Sequence, residues 1–227
     1  GNGLTGGLLK KVLGVAPKRS LPQIQKTSLR SWYKKNYATL KNNKSKGSLY
    51  LFCDEFTNYN DTPIGIKAIQ LLTRLGYEVK MISHPESGRA ALSKGLLPMA
   101  QKVAIENVDI FSSIISEDTP LIGIEPSAIL SFRDEYPRLV AEKDRQKAKD
   151  LAKNVLLIDE FIAKEIKNGQ ITHHSFTYDK KQILLHGHCH QKALSSVDNS
   201  AWLLGLPENY SVEVIPSGCC GMAWSFA

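Results

Sequence analysis

From residue 48 onward, short apolar runs alternate with longer stretches in which apolar positions recur every three to four residues. SLYLFCDE is such a run, entering a loop at Asp54. TPIGIKAIQLLTRLG follows with a Thr cap, a Pro in its first turn, helical spacing and a Gly stop. YEVKMIS then predicts a strand, LLPMAQKVAIENVDIFSSII one or two helices, PLIGIE a strand, and SAILSFRDEYPRLV with AEKDRQKAKDLAKNV a helical connection. KQILLHG and YSVEVIPSG predict strands on either side of a helix over QKALSSVDNSAWLLGL. Alternation of helices with mostly apolar strands predicts an α/β fold of parallel sheets covered by helices.

The pattern repeats. A shift of 133 residues lays GYEVKMISHPESGRAALS (76–93) on NYSVEVIPSGCCGMAWSF (209–226), so that Tyr77 meets Tyr210, Val79 meets Val212, Ile82 meets Ile215 and Gly88 meets Gly221. This predicts a duplicated parallel-sheet unit. The shift sets Cys219 and Cys220 on Glu86 and Ser87, so the thiol pair belongs to the second copy alone.

Charge sets the start of the chain apart. Residues 1–48 carry eleven Lys and Arg and no acid, whereas residues 49–227 carry eighteen basic and twenty-two acidic residues. This basic N-terminal extension is broken by Gly and Pro and lacks a sustained amphipathic pattern. It reads as a linker or docking strap anchored by Leu9, Val12, Leu13, Leu21, Trp32 and Tyr33. A membrane-surface contact is the alternative, and nucleic acid is not expected. The expected division is 1–48 for that extension, 49–156 for a first repeat and 157–227 for a second, truncated one. The chain, opening on GNG without methionine and closing just after its densest motif, reads as a piece of a longer protein.

Candidate chemistry gathers in HGHCHQKAL (186–194) and SGCCGMA (217–223). A loop between a parallel strand and a helix lies at the carboxyl edge of the sheet, where open α/β folds bind ligands. Cys189 and the pair Cys219–Cys220 both follow strands, so they are expected on one rim, within about 8 Å of each other, as ligation of a cluster or of zinc requires. Gly218 and Gly221 allow the backbone to bend around a bound group, and a helix start near Met222 would favour thiolates. Such thiolates suit an iron–sulfur cluster or zinc. The same residues also read as small side chains packed at a helix start. His186, His188 and His190 alternate and so share a face, as ligands or as hydrogen-bond partners around one. Arg89 lies at the equivalent rim of the first copy, suited to an anionic group or to a surface ion pair. Glu125 either caps the helix after it or faces the site. Cys53, at a strand end, reads as a rim residue or a buried apolar one, and His84 as structural. No dinucleotide fingerprint, paired-carboxylate motif or Ser/His motif is present, which argues against a self-contained nicotinamide dehydrogenase or a hydrolase.

With LFCDEFTNYND, GYEV, SGRAALSKGLL, GIEPSA and RDEYP beside those two motifs, residues 48–227 resemble the cysteine-rich CCG domains. These occur in the iron–sulfur component of glycolate oxidase, in the C component of anaerobic glycerol-3-phosphate dehydrogenase, in the B component of heterodisulfide reductase and in the lactate-utilisation iron–sulfur proteins. APKRSLP followed by SWY resembles the segment that joins such a domain to a ferredoxin-like module in large FAD-linked D-lactate or glycolate dehydrogenases. In that family each repeat supplies a single cysteine, an adjacent pair and a later cysteine. The resemblance implies that Cys189, Cys219 and Cys220 take those places in the second repeat, the later one falling beyond Ala227. It implies Cys53 as the isolated cysteine of the first repeat, whose own site is lost at Glu86, Ser87 and Ala128. Trp224 replaces a residue that is usually small there. The resemblance also implies an electron-transfer or acceptor-facing role without catalysis by this chain alone. A flavin (FAD) module elsewhere would oxidise a lactate- or glycolate-like acid, and a preceding ferredoxin-like module would pass electrons on. The acceptor would lie at a membrane surface, with the protein cytoplasmic and peripheral at the inner face. The alternative is a zinc-stabilised or metal-free docking domain.

Overall fold

The structure, a computed structural model, describes residues 7, 10–14, 16, 24–40 and 45–218. Its first sheet is built from strands β1 (Gly47–Leu51), β2 (Tyr77–Lys80), β3 (Leu121–Gly123) and β4 (Val155–Leu157), all parallel, in the order β2-β1-β3-β4. Ahead of them runs helix α1 (Leu29–Leu40). Parallel strands need crossovers, and helices supply them: α2 (Glu55–Tyr59) and α3 (Thr62–Arg74) between β1 and β2, then α4 (Arg89–Ser93) and α5 (Leu97–Phe111) before β3. Three short helices, α6 (Pro126–Ile129), α7 (Tyr136–Leu139) and α8 (Arg145–Ala152), lead to β4, and α9 (Ile158–Lys167) leaves it. Both faces of this sheet are therefore covered. Phe52, Phe111, Leu121, Phe132, Tyr136 and Val155 form one core, and Leu49, Leu51, Ile69, Leu72, Val79, Ile122 and Phe161 the other.

The second sheet pairs β5 (Lys181–Leu185) in parallel with β6 (Tyr210–Val214), joined through α10 (Cys189–Leu194) and α11 (Val197–Leu204). An α/β fold with two small parallel sheets covered by helices is thus present, as the strand–helix alternation predicts. The helix expected over residues 191–206 is two, because Ser195 takes an extended backbone and Ser196 begins a new cap by accepting from the Asp198 N–H. The Thr cap expected on α3 is absent. Thr62 lies inside the helix and its hydroxyl donates to the Asn58 carbonyl, while Asp61 occupies the cap position.

Two findings alter the expected organisation. The boundary expected between residues 156 and 157 passes through β4, whose Val155, Leu156 and Leu157 pair with Leu121, Ile122 and Gly123. The expected strap is partly integral to the fold. Helix α1 buries Leu29 completely and reaches the edge strand β2 at Val79. There the Tyr33 hydroxyl donates to the Val79 carbonyl at 2.9 Å, and the Tyr37 hydroxyl accepts from the Val79 N–H at 2.7 Å. An edge strand exposes unpaired amides, and two stacked tyrosines satisfy a donor and an acceptor of this one. Of the expected anchors, Trp32 and Tyr33 pack against the core of this same unit. Leu9 and Leu21 lie outside the described residues, and Val12 and Leu13 are exposed.

Candidate functional site

The cysteine-bearing rim is built at the end of β5. After Leu185 the chain passes through His186, buried Gly187 and His188, and then turns into α10. Glycine is required at 187, because a Cβ there would lie 2.3 Å from Val197 Cγ2 at the start of α11. His188 is the N-cap: its Nδ1 accepts from the His190 N–H at 3.2 Å. Its Nε2 lies 3.6 Å from Glu125 Oε1. Cys189 is the first residue of α10 and is half-buried. His186, His188 and His190 are half-buried with it, and the rings of His188 and His190 stack with centroids 5.7 Å apart.

Lys192, one turn further along α10, donates to the carbonyls of Ser217 and Gly218 at 2.7 and 2.9 Å. The Ile215 N–H adds a bond to the Leu185 carbonyl at 2.9 Å. The segment that leads into Cys219 is therefore fastened to the helix that begins with Cys189. Cys219, Cys220, Gly221 and Trp224 lie outside the described residues, and with them the expected separation of the three thiols. Gly218 is exposed, and a Cβ there would meet nothing within 4 Å. Among the described residues no group of three or more His, Cys, Asp or Glu is arranged to hold a metal ion.

The opposite wall belongs to the first unit. Glu125 caps the helix after it: its Oε2 accepts from the Ala128 N–H and the Ser127 hydroxyl, each at 2.6 Å, while Oε1 lies toward His188 Nε2. Arg89 is ion-paired with Glu135. Its charge also reaches His190, whose pKa is held below the ordinary imidazole value first by burial and then by Arg89. Residues from both strand-end rims thus face one another.

Two carboxylates that sequence reasoning missed fix α10 in place. Asp159 is buried and accepts from Gln191 Nε2 at 2.6 Å and from the Ser200 hydroxyl, tying the one buried residue of α10 to α11. Burial pushes the Asp159 pKa up, against the opposing Ser200 bond. Glu160 accepts two bonds from Arg133, one from the Leu157 N–H and one from the Ser195 hydroxyl. Although burial opposes it, these partners hold the Glu160 carboxyl below its ordinary range. The sequence signal was weak: an acidic pair at a helix start also reads as ordinary dipole compensation.

The first unit's rim is different chemistry at matching positions. Gly47 pairs with Tyr77 and Lys181 with Tyr210, so the second pair of strands lies 134 and 133 residues after the first. Each leading strand ends three residues before its N-cap, Leu51 before Asp54 and Leu185 before His188. Glu55, first in α2, therefore holds the place that Cys189 holds in α10, and Cys53 falls on Gly187. The assignment of Cys53 as the counterpart of Cys189 is corrected by two positions. Cys53 is 2% exposed, its thiol approaches Asn58 Oδ1 at 3.5 Å, and burial, outweighing Arg30, pushes its pKa up to about 12. Glu55 instead accepts from the Ser87 N–H at 2.9 Å and the Ser87 hydroxyl at 2.7 Å. The Tyr136 hydroxyl donates to the Ser87 carbonyl, and Asn107 spans Tyr136 and the Glu86 carbonyl.

Comparison with known proteins finds similarity to dehydrogenases. D-2-hydroxyglutarate dehydrogenase of Escherichia coli K12 is 25% identical over 174 residues, covering 76% of this chain. The enzyme of that name from Haemophilus influenzae is 24% identical over 236 residues, covering 98% of it. The C component of anaerobic glycerol-3-phosphate dehydrogenase from E. coli K12 is 24% identical over 225 residues, covering 96%. The chain is homologous to parts of dehydrogenases. It spans 16% and 22% of those two D-2-hydroxyglutarate dehydrogenases and 54% of the glycerol-3-phosphate dehydrogenase component. No family model matches the chain, and no solved structure matches it significantly. Among the described residues no helix is long and apolar enough to cross a membrane.

Proposed function

We propose that this chain is the electron-transfer, acceptor-facing part of an FAD-linked dehydrogenase of 2-hydroxy acids. In this reading Cys189, Cys219 and Cys220 hold an iron–sulfur cluster in the complete protein. The observation that carries it is the Lys192 clamp, which fastens the backbone immediately before Cys219 to the helix that opens with Cys189. The donor set suits such a group: three thiols, of which Cys189 opens a helix on the carboxyl side of a parallel sheet. When bound, an iron–sulfur cluster supplies one-electron transfer, which a chain without flavin or nicotinamide fingerprints otherwise lacks.

The chain's own residues position and insulate that site. Asp159 and Glu160 hold α10 through Gln191 and Ser195. His188 spends one ring nitrogen on its helix cap and turns the other toward Glu125, which suits a hydrogen-bonding partner of the site rather than a ligand. Arg89 brings positive charge to the same rim from the first unit. The nearly equal strand offsets support two copies of one α/β unit, of which only the second keeps the cysteine pair. Names of the relatives support a D-2-hydroxy acid, with the flavin and ferredoxin-like modules elsewhere in the polypeptide or complex. A cytoplasmic protein, peripheral at the inner face of the membrane, fits this role.

Anaerobic purification from iron-supplemented cells, followed by iron, sulfide and zinc analysis, tests the reading. The complete protein should contain iron and sulfide in equal amounts, and Cys189→Ser should lose one cluster's share of both, relative to the wild type, while remaining folded. Stoichiometric zinc that Cys189→Ser loses, with iron and sulfide equal in the two proteins, would replace this reading with a zinc-stabilised docking domain.

A further inference from the structure

The segment between α4 and α5 forms an apolar knob. Residues 93–99 are all exposed, and within them Leu96, Leu97 and Met99 are 49%, 55% and 59% accessible. The knob is held by its own backbone. Gly95, with φ of 70°, allows the turn, and the N–H groups of Lys94, Gly95 and Leu96 return to carbonyls of α4 at 2.9–3.2 Å. The next turn of α5 is anchored by Ala100 and Ala104, both buried. Three large aliphatic side chains are thus presented to solvent by a well-tied turn, which costs little further ordering when they are covered.

Its position and charge say what covers it. Gly88 packs on Ala100 and Val103, so the knob rises beside Ser87 and Arg89, on the rim whose Arg89 charge reaches His190. Residues 93–102 include Lys94 and Lys102 and no acid. Lys94 and Lys102 are exposed on either side of the three apolar side chains. Residues 93–102 contain no aromatic residue and no arginine, the side chains that usually anchor a protein partner. Aliphatic side chains bracketed by lysines suit the boundary of an anionic bilayer, where the stems sink to the acyl level and the ammonium groups stay among headgroup phosphates.

We infer that Leu96, Leu97 and Met99, with Lys94 and Lys102, form a membrane-surface contact for anionic lipid. This orients the cysteine-bearing rim toward the bilayer. The inference stands on the knob itself and does not require a bound cluster.

Flotation of the purified chain with phosphatidylcholine vesicles, with and without phosphatidylglycerol, tests it. The wild type should float with the phosphatidylglycerol vesicles and stay behind with phosphatidylcholine alone. Leu96→Glu/Leu97→Glu/Met99→Glu should lower the partition at least about tenfold. Lys94→Gln/Lys102→Gln should lower it roughly 25-fold at low salt, from about one lysine's worth of attraction each. All five side chains are solvent-exposed, and circular dichroism melting should be unchanged; the single Leu97→Glu variant serves if the triple variant melts lower. Absence of flotation in the wild type overturns the inference. So does flotation that survives the triple glutamate variant, which would assign the contact to the basic N-terminal residues instead.

Discussion

The two strand–helix–strand units solve the same problem in opposite ways. Each must join the loop after its leading strand to the loop after its second strand, across the carboxyl edge of the sheet. In the first unit a carboxylate does this: Glu55 takes both the amide and the hydroxyl of Ser87, and Tyr136 and Asn107 complete the bonding around it. In the second unit the corresponding positions are Cys189 and Cys220, and the described bond between the loops is the Lys192 ammonium on two carbonyls. A buried carboxylate–hydroxyl pair is satisfied without any added group, whereas thiols offer little to one another until something soft lies between them. One rim is self-sufficient, and the proposed cluster would complete the other.

Breaking the receiving side has the largest expected effect. In the complete protein, Cys219→Ser should lower steady-state acceptor reduction by at least about 100-fold. Rapid-mixing measurements should find flavin reduction by the hydroxy acid unchanged. Ser87→Ala, at the counterpart of Cys220 by the internal shift, should leave both rates within about twofold. Equal turnover in Cys219→Ser and wild type would remove the electron-transfer reading.

Sharpening the comparison means converting one side into the other. Glu55→Cys/Glu86→Cys/Ser87→Cys should bind cobalt with the intense near-ultraviolet thiolate bands that the parent lacks at that rim. Glu86→Cys/Ser87→Cys, which leaves Cys53 as the third thiol, should not gain them, because Cys53 points into the core against Asn58. Identical spectra from the two variants would show that the strand offsets misplace Glu55.

A smaller effect separates holding the site from being the site. Asp159→Ala strips buried Gln191 and half-buried Ser200 of their shared acceptor and should cost about 3 kcal/mol in denaturant unfolding. Glu142→Ala, whose exposed pair with Arg145 contributes little, should change stability by less than about 0.5 kcal/mol.

The smallest effect lies in pH. Burial, opposed by bonds from Thr57, raises the Asp54 pKa from 3.8 to about 6, so the folded chain keeps a proton that the unfolded chain loses; stability from this group falls as pH rises across that window. Burial and then Arg30 lower His84 from 6.5 to about 4, so the unfolded chain takes up the proton and stability from this group rises between those values. The two slopes oppose each other. His84→Gln removes the rising one, and unfolding midpoints measured from pH 4 to 6.5 should then decline with pH more steeply than in the wild type.

Much of the fold was legible because β1, β2, β5 and β6 are apolar or alternating runs between clear breakers. β4 was not: its three residues, Val155–Leu157, follow a lysine-rich helix without a turn signal and become a strand through pairing with β3. The charge of the first forty-eight residues hid the fact that α1 is amphipathic in a particular sense, with tyrosine hydroxyls placed for Val79. Of the site, the thiols and the facing histidines could be read as motifs, and so could the loss of thiols at Glu86 and Ser87. The role of Glu55 could not, since a shift of two positions between Cys53 and Cys189 becomes visible only when ladders and helix caps fix the register. Asp159, Gln191 and Lys192 escaped because their partners lie nine to forty-one residues away and none of these residue types is unusual on a helix.

Arg30 of α1 reaches into the first rim, donating to the carbonyls of Ile82, Cys53 and His84, with partners 23 to 54 positions downstream. During synthesis the helix leaves the ribosome well before anything exists for it to dock on. At elongation rates of about 5–20 residues per second, the interval from Arg30 to His84 is roughly 3–10 s. For that time Leu29 and the paired tyrosines have no sheet edge to cover, and a nascent chain paused there offers them to chaperones. The earliest-made helix of the first unit therefore waits for residues made after it before it can dock.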